Sequence, residues 1–135
     1  MWKTENQFYA TFCANLLCIN YGLATGWTSA GIPLLKSSET PLKSGPISSN
    51  EASIIGSILT VGGIFGCLIF GFAADKIGRK RSIFIIAFPQ IFGWILVYFS
   101  QNVWMLIAFR FVAGIGAGGV LTVISGYTTE IAVPK

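Results

Sequence analysis

The stretch Gly71-Phe72-Ala73-Ala74-Asp75-Lys76-Ile77-Gly78-Arg79-Lys80, followed by Arg81, decides how this 135-residue chain is read. It places one acid, four bases and a turn-permissive glycine between two long apolar segments. Nothing between Glu51 and Asp75 is charged, nor is anything between Arg81 and Arg110. A third uncharged gap separates Glu5 from Lys36. Each gap exceeds the roughly 20 residues a helix needs to cross the hydrocarbon of a bilayer. A further apolar stretch follows Arg110 and runs to Thr129. The chain therefore reads as an all-α membrane protein with four transmembrane helices.

Composition points the same way. Hydrophobic residues make up 53% of the chain and charged residues only 10%, where a soluble domain carries about 25% charged residues. The net charge of +4 does not indicate nucleic acid, because Lys76, Arg79, Lys80 and Arg81 share one short inter-helix loop. The positive-inside rule accounts for that clustering. Cys13, Cys18 and Cys67 all fall within predicted spans, without metal-ligand spacing, and read as small apolar side chains. No cofactor, metal or glycosylation site is expected. The uncharged run from Asn6 to Leu35 is too long for the 7–15-residue core of a cleaved signal (roughly) and reads as a retained span.

The predicted spans cover about 8–33, 51–74, 82–99 and 103–127. Gly22-x-x-x-Gly26 is expected to allow close helix contact in the first, and Gly62-x-x-x-Gly66 in the second. Lys36 to Ser49 is rich in Pro, Ser and Gly and reads as an aqueous loop. Ser48 with Glu51 forms a capping-box pattern opening helix two. Gly114-Ile115-Gly116-Ala117-Gly118-Gly119 lies at the centre of helix four, where a neighbour can pack on the bare backbone. A phosphate-cradle reading of those glycines fails, since no strand precedes them. The four bases of loop 75–81 set it in the cytoplasm. The amino terminus is then cytoplasmic, loop 36–49 outside, and Glu130 and Lys135 inside. The expected location is the plasma membrane, multi-pass.

The form G-x-x-x-D-K-x-G-R-K resembles the loop between helices two and three of major facilitator transporters. Three further segments are similar to the sugar porter branch of that superfamily. These are Arg110-Phe111-Val112-Ala113-Gly114-Ile115-Gly116-Ala117-Gly118, Tyr127-Thr128-Thr129-Glu130-Ile131-Ala132 and Glu51-Ala52-Ser53-Ile54-Ile55-Gly56-Ser57. Gly26-Trp27-Thr28-Ser29 with Pro33-Leu34-Leu35 is most like insect facilitated trehalose transporters and glucose-type carriers. The chain departs from the pattern at Gly126, where the family usually has proline, and at Ile54, where tryptophan is common.

The resemblance implies a partial N-terminal half of a twelve-helix sugar transporter, a non-enzyme working by facilitated diffusion through alternating access. It implies a small-molecule sugar, trehalose or hexose, as substrate, with the lipid bilayer and the remaining helices of the full-length transporter as partners. Gly71, Asp75, Gly78, Arg79, Lys80, Arg110 and Glu130 are the implied gating and motif residues, with Asp75 and Arg79 pairing with each other or with the other half. Gly78 is expected because a side chain would obstruct a tight turn. Arg110 is implied to face the bundle interior near Ala24, where proton-coupled relatives carry an acid; an arginine snorkelling to the interface is the competing reading. Thr25, Ser29 and Thr122 are the implied cavity residues. Two other readings remain: a truncated, non-transporting membrane protein or regulator of a full-length carrier, and a transporter of organic ions.

Overall fold

The computed structural model describes residues 4–132, which form four helices: α1 (Thr4–Lys36), α2 (Ser49–Ile77), α3 (Arg79–Tyr98) and α4 (Val103–Ala132). Lys135 lies outside the described residues. Three helical stretches, Ser49–Ile77, Arg79–Tyr98 and Val103–Glu130, are long and apolar enough to cross a membrane. The 33 residues of α1 make a helix about 50 Å long at 1.5 Å per residue. Asn6, Gln7, Asn15 and Asn20 dilute its apolar character.

The helix ends follow local chemistry. Ser48 caps α2: the Glu51 backbone N–H donates to its hydroxyl at 3.3 Å, and the Glu51 carboxylate accepts from the Ser48 N–H at 2.8 Å. Where a loop over 75–81 was expected, α2 and α3 meet at Gly78 alone. Its φ of 94° and ψ of 150° lie in backbone territory open almost only to glycine. Space is not the reason, because a Cβ at Gly78 would meet nothing within 4 Å. At the far end of α3, Ser100 closes the helix by donating its hydroxyl to the Val97 carbonyl at 2.7 Å.

α4 is the central element, packed most extensively on α2 and next on α3. Glycines on both helices explain the contact with α2. A Cβ on Gly62 would strike the Phe111 carbonyl, one on Gly66 the Ile115 carbonyl, and one on Gly118 the Gly63 carbonyl. The α2 and α4 backbones thus touch directly, as small residues permit where no hydrophobic force drives helices together. Gly22 and Gly26 of α1 behave otherwise: neither has a neighbour within 4 Å of a Cβ position. No close contact is made at that pair among the described residues.

Two apolar cores lie at opposite ends of the bundle. One, near the α2–α3 junction, joins Ala14, Phe70, Ala74, Ile86, Val120 and Val123. The other joins Leu35, Ala52, Ile55, Val103 and Leu106 with Leu42 and Ile47 of the α1–α2 connection. That connection is folded onto the bundle, with the Ile47 N–H donating to the Leu35 carbonyl and the Lys43 N–H to that of Gln101, both at 3.0 Å. Outward, Phe12, Ile19, Phe65, Phe72, Phe88 and Trp104 are exposed. An apolar exterior of this extent is what a bilayer covers.

Candidate functional site

A crevice of about 430 Å³ opens between α1, α2 and α4. Tyr21, Thr25 and Thr28 of α1 line it, with Thr60 and Cys67 of α2 and Leu121 of α4. Gly56, Gly63 and Gly118 also border it, and their missing side chains help leave the space. The Thr25 hydroxyl donates to the Tyr21 carbonyl at 3.0 Å, which leaves its oxygen free to accept from a ligand. Ser29 and Thr122 do not line the crevice. Ser29 is exposed elsewhere on α1. The Thr122 hydroxyl bonds back to the Gly118 carbonyl at 3.2 Å, and its methyl sits 3.7 Å from where a Gly71 Cβ would lie. Of the three cavity candidates, the structure sets only Thr25 at the crevice.

Arg110 lies seven residues into α4 and is 2% exposed. Its Nη1 donates to the Ala24 carbonyl at 2.8 Å and its Nη2 to the Thr28 hydroxyl at 2.6 Å. The guanidinium also stacks 4.9 Å from the ring centroid of Trp27, a favourable seat for a cation. Three residues of α1 therefore receive this one charge, and none is a carboxylate. Arg110 Nε is buried without a partner among the described residues.

At the other end, Arg79 Nε donates to a Glu130 carboxylate oxygen at 2.9 Å. Asp75 is exposed and forms no ion pair among the described residues. Among the described residues Arg79 pairs with Glu130 of α4 and not with Asp75. Gly126 makes room for it, since a Cβ there would lie 2.6 Å from Arg79 Nη1. Lys80 is exposed. Gly71 lies four residues before Asp75 on α2, and a Cβ there would meet only the Thr122 methyl, at 3.7 Å.

One polar group was not singled out from the sequence. Asn20 Nδ2 donates to Gln90 Oε1 at 2.9 Å, and Trp94 Nε1 donates to Asn20 Oδ1 at 2.8 Å. Gln90 is 1% exposed. The available signal was Gln90, the one amide in the span Arg79–Tyr98, a placement that is costly in a membrane and normally has a partner.

The sugar (and other) transporter family matches residues 9–135. The facilitated glucose transporter member 8 of solute carrier family 2 from Bos taurus is 34% identical over 133 residues, covering 98% of this chain and 27% of that protein. Member 6 from Homo sapiens is 35% identical over 132 residues, covering 98% of this chain and 26% of that protein. Sugar transporter ERD6 from Arabidopsis thaliana is 38% identical over 135 residues, covering 98% and 25%. The chain thus spans about a quarter of the length of these relatives. No solved structure matches it significantly. A match over nearly the whole chain, with the loop and helix-four motifs within it, makes the chain a member of the sugar transporter family, the sugar porter branch of the major facilitator superfamily.

Proposed function

We propose that these are helices one to four of a twelve-helix carrier that moves a hexose or trehalose down its gradient by alternating access. All four helices, α1 included, span the plasma membrane, with the amino terminus and the Gly78 junction in the cytoplasm. The carrier makes and breaks no bond and is not an enzyme. One observation supports passive transport above the rest: buried Arg110 is held by a carbonyl, a hydroxyl and an aromatic face of α1. No group in that set exchanges a proton near neutral pH.

The crevice suits part of a sugar site. Tyr21, Thr25 and Thr60 offer hydroxyls beside apolar Leu59, Ile64 and Leu121, the mixture that small-molecule sites use to bind and orient. Asp75 acts at the gate through the half of the carrier beyond these helices. Two experiments test the reading. Cells expressing the full-length protein take up radiolabelled glucose or trehalose above control; absence of uptake for both removes the assignment. In a cysteine-free protein, a cysteine at position 80 reacts only from the cytoplasm and one at position 43 only from outside. The reverse pattern overturns the orientation.

A further inference from the structure

Apolar packing alone does not fix how α1 is rotated on the bundle. Its large apolar side chains Phe8, Phe12, Leu16, Ile19 and Leu23 are exposed, and its buried apolar residues are mostly small, such as Ala14 and Ala24. Its contact with α3 is slight. Lipid is as apolar as these side chains, so no hydrophobic force sets their direction. Directional hydrogen bonds can.

The bonds between Asn20, Gln90 and Trp94 permit one arrangement. An indole N–H only donates, so the Asn20 group facing Trp94 is the amide oxygen. The Asn20 nitrogen then faces Gln90 and needs an acceptor, which is Gln90 Oε1. Gln90 Nε2 is left buried without a partner among the described residues, a cost that marks the arrangement as dictated by its neighbours. Gln90 has little freedom to turn: a Cβ on Gly116 would already lie 3.1 Å from Gln90 Cγ.

Asn20, Ala24 and Thr28 follow at intervals of four along α1, one side of the helix. All three are held by polar bonds, the first to α3 and the others to Arg110 of α4. Tyr21 and Thr25, each one residue further on, line the crevice. A step of one residue turns a helix by about 100°, so a slip of α1 would carry both away from it.

We propose that Asn20, Gln90 and Trp94 are positioning residues that clock α1, present Tyr21 and Thr25 to the crevice, and thereby set substrate affinity. The affinity part rests on the sugar-transport reading; the clocking part does not. The test uses the full-length protein in membranes, with every native cysteine, Cys13, Cys18 and Cys67 among them, replaced by alanine and Thr25→Cys as the probe for N-ethylmaleimide. In that background Gln90→Leu and Trp94→Phe each lower the labelling rate about threefold or more, the scale of one interhelical hydrogen bond.

With Thr25 and the native cysteines in place, the same substitutions raise the half-saturation concentration for glucose about fivefold. Maximal uptake per surface copy stays within about twofold, which a general folding defect would not produce. Trp94→Phe keeps an aromatic ring, and loses the N–H together with part of the indole's bulk, so it gives an independent reading if Gln90→Leu fails to reach the membrane. Unchanged labelling in the variants overturns the proposal. Altered labelling with unchanged half-saturation overturns its affinity part. A parent protein that takes up no glucose counts against the transport reading alone, and the labelling still decides the clocking.

Discussion

Arg79 Nε lies 2.9 Å from a Glu130 carboxylate oxygen, and this pair ties the first turn of α3 to the last turn of α4. The side chains are 31% and 56% exposed, so the bond contributes about 0–1 kcal/mol. A weak tie at the helix junction suits the proposed gate, in which the contact would be remade in each cycle. Arg79→Ala and Glu130→Gln are each expected to slow sugar uptake several-fold while surface abundance stays near normal. Uptake normalised to surface protein checks this. Normal rates in both variants would leave the pair without a gating role.

Stability is expected to depend on glycine contacts in a position-specific way. Gly66→Ala drives a methyl into the Ile115 carbonyl and Gly118→Ala one into that of Gly63. Both contacts are backbone, which cannot swing aside, and overpacking of this kind costs about 1–3 kcal/mol or more. Gly22→Ala and Gly26→Ala meet nothing among the described residues and are expected to be neutral. Thermal unfolding of the detergent-solubilised protein separates the two sets. Equal effects at all four positions would contradict the packing described.

Arg110 is expected to tolerate no substitution, lysine included. A guanidinium reaches the Ala24 carbonyl and the Thr28 hydroxyl together while lying on Trp27. An ammonium is a point charge that cannot reproduce that planar fork. Arg110→Lys should therefore lower uptake about tenfold, equivalent to about 1.4 kcal/mol, and Arg110→Leu at least as much. Uptake per surface copy is the measure. Wild-type uptake by Arg110→Lys would show that charge alone suffices.

Much of the architecture was legible because charges are so few. The gaps from Glu5 to Lys36, Glu51 to Asp75 and Arg81 to Arg110 mark where apolar helices run, and Ser48 with Glu51 marks where α2 starts. Which face each helix buries was far less legible. A membrane exterior is as apolar as the interior, so hydrophobic periodicity carries little information about packing. Gly22-x-x-x-Gly26 and Gly62-x-x-x-Gly66 are the same pattern in sequence, yet only the second meets a neighbour. Thr25 and Thr122 are both hydroxyls in apolar helices, and only the first reaches the crevice.

Long-range partners were hidden for a related reason. Asp75 is nearer to Arg79 in sequence than Glu130 is, but Gly78 directs the chain so that Arg79 meets α4. Asn20 and Gln90 are separated by 70 positions, and no local rule links them. Arg110 differed because an arginine well inside an apolar helix demands partners; its placement against Ala24 and Thr28 supplies them.

The central claim is passive sugar transport, and energy coupling tests it most directly. Among the residues facing Arg110 from α1, a backbone carbonyl, a hydroxyl and an indole ring offer no titratable carboxylate for a proton to neutralise. The measurement is uptake of radiolabelled glucose or trehalose into cells expressing the full-length protein, with and without a protonophore. Internal sugar is expected to rise to the external concentration and no further, at a rate the protonophore leaves unchanged. Accumulation above the external concentration that collapses when the protonophore is added would contradict that claim.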